Sequence, residues 1–159
     1  HLGEGMLDDN PLQPADALVV TRPGHALFLP LADCVGAVLY DPVAQVLMVS
    51  HLGRHSAQVD GAAQSVRYLQ DQFASQPDNL LVWLSPAVGA SSYPLSGSDS
   101  AGLHDVITAQ LLRSGVATSA IQTCAIDTAV SADYFSHSQF VAGNQAVDGR
   151  FAIVAMMRE

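Results

Sequence analysis

A cysteine and a histidine, Cys34 and His51, stand near the two ends of one apolar stretch, "LADCVGAVLYDPVAQVLMVSHLGRH", residues 31–55. If its two halves pair across "DPVA", Tyr40 faces Gln45, Val38 faces Leu47 and Cys34 faces His51. Directly opposed Cβ atoms in an antiparallel pair lie about 4.5–5.5 Å apart. That separation suits two ligands of one zinc ion, with bonds of about 2.0–2.3 Å. It also suits a metal-free pair in which Cys34 is the nucleophile and His51 the base. The blander reading is a buried, inert cysteine and a solvated histidine.

Several elements must position such a pair. "ALVVT" 17–21, "ALFLPL" 26–31, "VGAVLY" 35–40 and "QVLMVSH" 45–51 have strand length and branched side chains. From Ser56 the period changes: Val59, Ala62, Ala63, Val66, Leu69 and Phe73 predict one amphipathic helix, with Ser56 as its N-cap and Gly61 weakening it. "NLLVWL" 79–84 reads as a buried strand, and residues 85–100 as a Ser/Gly/Pro-rich loop. A second helix is expected from His104 to Ser114, closed by Gly115. "AIQTCAI" 120–126 and "RFAIVAMM" 150–157 complete the strands, with an irregular stretch holding "YFSHSQF" between them. The expected architecture is α/β in the mixed α+β sense, a mixed β-sheet core with helices packed on it. One domain spanning 1–159 is expected, without internal repeat.

Composition narrows the function classes. Apolar residues make up 49% of the 159, charged residues only 13%, and no apolar run has the length of a membrane span. The formal net charge is −9 with no lysine at all. A basic face for nucleic acid or for an acidic membrane surface cannot be built from it. Two cysteines without a secretory leader favour reduced thiols or a metal ligand, so a cytoplasmic location is expected. The chain starts at His1 rather than Met, and an upstream piece is expected.

A series of short motifs follows in order: His1, "ADALVV" 15–20, "LADC" 31–34, "HLGRHS" 51–56, "SPAVG" 85–89, "TCAIDT" 123–128, "YFSHS" 134–138 and "DGR" 148–150. Together they resemble the laccase-domain, polyphenol-oxidase-like (YfiH-type) family, whose members include purine nucleoside phosphorylases with adenosine deaminase activity. The family pattern runs "QVH", "ADA", "TADC", "HAGWRG", "GPAIG", "CT", "FFSYRR" and "TGR". The resemblance implies a YfiH-like fold, lacking an N-terminal segment, and zinc held by His1, Cys34 and His51, copper being the less favoured metal. The partners it implies are a nucleoside and phosphate. Arg54, His55 and Arg150 become the expected anion or substrate contacts, with Tyr93 and His137 at the pocket. Three protein ligands leave one zinc position open for water, which the metal acidifies.

The chain also departs from the pattern. His55 stands where "HAGWRG" has arginine, and Arg54 comes one position earlier. "SYRR" has become "SHSQ", replacing the aromatic by His137 and removing two bidentate phosphate donors. The deaminase signature His-x-Glu with Pro-Cys-x-x-Cys is absent. Three alternatives therefore stay open: a metal-free Cys–His hydrolase, a hydrolase editing peptidoglycan precursors, and a member keeping the fold without the activity. A terminal histidine brace binding copper explains none of the other motifs. Cys124 is expected to be buried mid-strand. Asp33 is expected either to orient a ligand or to cap a strand, and His25 and His104 are assigned no role.

Overall fold

The computed structural model describes residues 15–93, 95 and 101–158. Four strands come first: β1 (Ala17–Val20), β2 (Ala26–Leu31), β3 (Val35–Asp41) and β4 (Val46–Leu52). Helices α1 (Arg54–Gln58) and α2 (Gly61–Phe73) follow, then β5 (Leu81–Leu84), α3 (Leu103–Arg113), β6 (Ile121–Thr123), α4 (His137–Val141) and β7 (Phe151–Met156). A five-stranded sheet has the order β1-β4-β3-β5-β6, antiparallel except for the parallel β5–β6 pair, and β2 pairs with β7 in a separate antiparallel ribbon. The mixed α+β architecture is as expected.

Strand alternation builds a core on each side of the sheet. On β4, Val46, Met48 and Leu52 point to the helices and pack with Val66, Leu69, Ile107 and Leu111. Leu47 and Val49 point the other way, onto Leu27 and Leu31 of β2 and Ile153 of β7. Gly36 faces this ribbon, where an added Cβ would fall 2.1 Å from Ile153 Cδ1. Only a residue without a side chain allows the ribbon to sit so close.

The hairpin register differs from the expected one. Gly36, not Cys34, is opposite His51, and Tyr40 is opposite Leu47. The turn is Pro42 to Gln45 because the Asp41 side chain organises it. Asp41 Oδ1 accepts from the amides of Val43 (2.8 Å) and Ala44 (3.0 Å), and Gln45 takes a left-handed φ of 53°. A slip of two residues keeps every side chain on its face. Cys34 therefore stays on the His51 side, displaced along the strand.

The single helix expected from Ser56 is in fact two. Gly53, not Ser56, is the N-cap of α1, and the chain breaks at Asp60, where φ is 57°. Gly61 opens α2 and approaches Ser56 so closely that a Cβ would meet its carbonyl oxygen at 2.9 Å. Gln110 of α3 fills the break, donating to the Ala57 carbonyl (2.6 Å) and accepting from the Ala62 amide (3.1 Å). The helix α3 ends as expected, with Gly115 at φ 94°.

Two further expectations need correction. The strand expected over 120–126 is only β6, and Cys124 lies beyond it, partly exposed rather than buried mid-strand. The chain leaves β6 early and touches the body again through an isolated bridge between Ala87 and Asp127. The "YFSHSQF" stretch is not wholly irregular. It contains α4, whose Ser136 Oγ accepts from the Gln139 amide (3.3 Å), a helix too short to show a period. No helix among the described residues is long and apolar enough to cross a membrane.

Candidate active site

The loop Ala32–Cys34 enters β3, and β4 runs out through His51 to Gly53 at the start of α1. Between them Cys34 Sγ and His51 Nε2 border one small gap. A Cβ on Gly53 would lie 2.8 Å from the sulfur and 3.8 Å from the nitrogen. The glycine after "HL" is what lets thiol and imidazole share that space. Burial, reinforced by the adjacent Asp33 charge, pushes the Cys34 thiol above its ordinary value.

The other nitrogen of His51 faces Asp16. Pairing of Ala17 with Ser50 brings Asp16 across from His51, whose amide donates to the Asp16 carbonyl at 2.7 Å. His51 Nδ1 lies 3.7 Å from the Asp16 carboxylate. At that separation the exposed carboxylate is an electrostatic neighbour of the ring, and the backbone bond is what fixes Asp16 beside His51. Sequence reasoning missed Asp16, although it is the aspartate of the "ADA" motif.

Cys34 opens onto a cavity of about 440 Å³ whose wall includes Asp33, Arg54, Tyr93, Leu103 and His137. Arg54, in the first turn of α1, lays its guanidinium over the Tyr93 ring, 4.2 Å from the centroid. No carboxylate pairs with it among the described residues. On another wall His137 Nδ1 hydrogen-bonds Asp148 Oδ1 at 3.0 Å. Thus Cys34, Arg54, Tyr93 and His137, chosen from sequence, meet around one space.

Asp33 is the tie that closes this cavity. It is nearly buried, and its carboxylate accepts from Thr128 Oγ1 (3.0 Å) and from the Ser138 amide (2.7 Å). Its carbonyl accepts from the Val88 amide at 2.9 Å. Three distant segments are pinned to the residue beside Cys34. Of its two expected roles, orienting a ligand or capping a strand, the structure gives it a third: it anchors α4. Nearby, Gly89 of "SPAVG" packs on Asp127, where a Cβ would meet the carboxylate at 2.4 Å.

The remaining candidates lie elsewhere. His55 follows Arg54 by one helical step and so faces a different cavity, about 260 Å³, shared with Asp16, Ser50 and His51. Arg150 does not line the larger cavity; its guanidinium is engaged with Asp148. Cys124 borders a third cavity with Trp83 and Phe151. His104 Nε2 bonds the Ser85 carbonyl at 2.8 Å, and His25 contacts the Pro23 carbonyl in its turn. His1 lies outside the described residues. Among the described residues no group of three or more His, Cys, Asp or Glu side chains is arranged to hold a metal. Two donors at one gap bare of side chain still fit part of a mononuclear site.

Known proteins place this geometry in a family. Purine nucleoside phosphorylase of Streptomyces coelicolor is 29% identical over 117 residues, which are 74% of this chain and 48% of that protein. Its counterpart from Corynebacterium glutamicum is 28% identical over 92 residues, 58% of this chain and 37% of that protein. The chain thus spans about half the length, or less, of these curated relatives. YlmD from Geobacillus stearothermophilus superposes with a TM-score of 0.82 at 24% identity, over 99% of this chain and 66% of that one. The YfiH hypothetical protein of Bacillus licheniformis gives 0.81 at 22% identity, over 94% and 64%. These two share the fold. Residues 3–101 match the family model described as multi-copper polyphenol oxidoreductase laccase, and the chain belongs to that family.

Proposed function

We propose that the cavity beside Cys34 binds a purine nucleoside and inorganic phosphate and supports phosphorolysis of the glycosidic bond. The observation that carries this reading is Arg54: a cation held on an aromatic face, without a carboxylate partner among the described residues, at the wall of a cavity large enough for a small molecule. Unpaired by protein, its fork is available to a phosphate. Val88, Leu103 and Val141 add apolar wall for a base. The names of the two curated relatives support the same reaction class.

Cys34 and His51, with His1 as the third ligand, would hold a zinc ion at the Gly53 gap. When bound, zinc supplies a Lewis acid and an acidified water, and on that chemistry rests the finer proposal of adenosine deamination. Asp16 fixes the His51 backbone through its carbonyl, and Asp33 keeps α4 and the 128 loop against the ligand-bearing strand.

The metal-free thiol reading has less support. A nucleophilic cysteine has its pKa lowered by positive neighbours, whereas burial and Asp33 move Cys34 upward. The lost arginines remain the feature that favours a non-catalytic member.

The test is to incubate the purified chain with inosine and adenosine, with and without phosphate, and to assay zinc in the parent and in Cys34→Ser. Base release that requires phosphate, with about one zinc per chain lost in the variant, is the expected result. A parent that binds no metal and turns over neither nucleoside overturns the proposal.

A further inference from the structure

His137 and Asp148 are built into a fixed relation from both sides. The Ser138 amide is tied to buried Asp33, which sets the start of α4 and the backbone next to His137. Asp148 stands two residues before Arg150, just ahead of β7, which is paired along its whole length with β2. Between them Gly149 lies against Phe135, where a Cβ would fall 2.4 Å from the ring. The "DGR" segment is therefore pressed onto the segment that carries His137.

The side chains complete the arrangement. Asp148 Oδ1 accepts from His137 Nδ1 at 3.0 Å, and Arg150 Nη1 reaches the same oxygen. Arg150 first, and His137 second, hold the Asp148 carboxyl below the ordinary carboxylate range. The carboxylate thus stays an acceptor, Nδ1 carries a proton, and Nε2 is the nitrogen left for the cavity that His137 lines. The walls around that cavity also carry Asp33, Cys34 and Arg54. His137 and Asp148 are both residues at which this chain departs from the motifs "FFSYRR" and "TGR", and they bond to each other.

We propose that His137 is the proton donor to the departing base, with Asp148 as its positioning residue and Arg150 as the clamp on Asp148. This rests on the phosphorolysis reading above. As a phosphate oxygen bonds to C1′ of the sugar, the C1′–N9 bond breaks and its electron pair enters the purine. The proton on Nε2 of the doubly protonated ring passes to N7, and solvent later returns it. Arg150 thereby serves the site without touching the substrate.

The test compares inosine with 7-methylguanosine, whose base leaves without needing a proton at N7, in the parent, His137→Gln and Asp148→Ala. In parallel, ¹⁵N NMR reads the tautomer of the neutral His137 ring. The expected result is a kcat loss of about 100-fold for His137→Gln on inosine, in the range of general acid catalysis, and a smaller loss for Asp148→Ala. Turnover of 7-methylguanosine stays near the parent's. The neutral ring is Nδ1–H in the parent and moves toward Nε2–H in Asp148→Ala. Equal losses on both nucleosides overturn the acid role, and an Nε2–H ring in the parent overturns positioning by Asp148. A parent inactive on both nucleosides overturns the phosphorolysis reading and the acid role with it, while the tautomer still decides the part played by Asp148.

Discussion

Cys34 Sγ and His51 Nε2 meet over the bare Cα of Gly53, at 2.8 and 3.8 Å from where a Cβ would stand. They are not cross-strand partners, since Gly36 takes that place opposite His51. Their proximity depends on the turn out of β4 and on the absence of a side chain at its apex.

Gly53→Ala places a methyl against the thiol, and either the sulfur or the turn must move. Zinc affinity is expected to fall about 10–100-fold, the range seen when ligand orientation is disturbed, while far-ultraviolet circular dichroism stays that of the parent. Competition with a chromophoric chelator measures it. Unchanged affinity would mean that the gap is not the metal position.

Asp33→Ala leaves the Thr128 hydroxyl and the Ser138 amide without their acceptor. Thr128 is fully buried, so the cost is that of an unsatisfied buried donor, about 1–3 kcal/mol. Denaturant unfolding at constant m-value reads it. A change within error would show that water replaces the carboxylate.

Arg54→Gln removes the cation over Tyr93 with little effect on folding, because the stacked pair is partly exposed and worth about 0.5–1 kcal/mol. The KM for phosphate is expected to rise about tenfold or more, the equivalent of one charge-assisted hydrogen bond. Arg54→Lys restores it only in part, because lysine lacks the fork. A rise in nucleoside KM alone would move Arg54 to the sugar or base.

Asp127 governs a pH effect. Burial raises its carboxyl, but bonds from the Gly89 amide, Ser92 Oγ and the Ala129 amide outweigh this and hold it below its ordinary value. A depressed folded-state pKa gives stability that is present above the unfolded value and lost as pH falls through the folded one. As pH is taken from neutral to below the ordinary carboxyl value of 3.8, the parent should lose more stability than Asp127→Asn, and at pH 7 the variant should be the less stable. Thermal melts of both proteins across that window decide it, and parallel curves would sink the assignment.

Much was readable from the chain alone, because the signals are local. Short runs with branched side chains, such as "QVLMVSH", specified strands, three-and-four spacing specified the helical run after Ser56, and Gly115 specified the end of α3. Residue type and motif order brought Cys34, His51, Arg54, Tyr93 and His137 to notice. Tertiary structure decided the rest. Asp41 captured two turn amides and slipped the hairpin by two, and Gln110, far along the chain, satisfied a helix break that periodicity reads through. Arg54 and His55, adjacent in sequence, were sent to different cavities by one helical step. Asp16 and Asp148 became partners of histidines through pairing and close packing that no local pattern encodes. Side-chain periodicity records which face a residue takes. Hydrogen bonds between distant segments, and glycines where backbones touch, set which residues on that face come together.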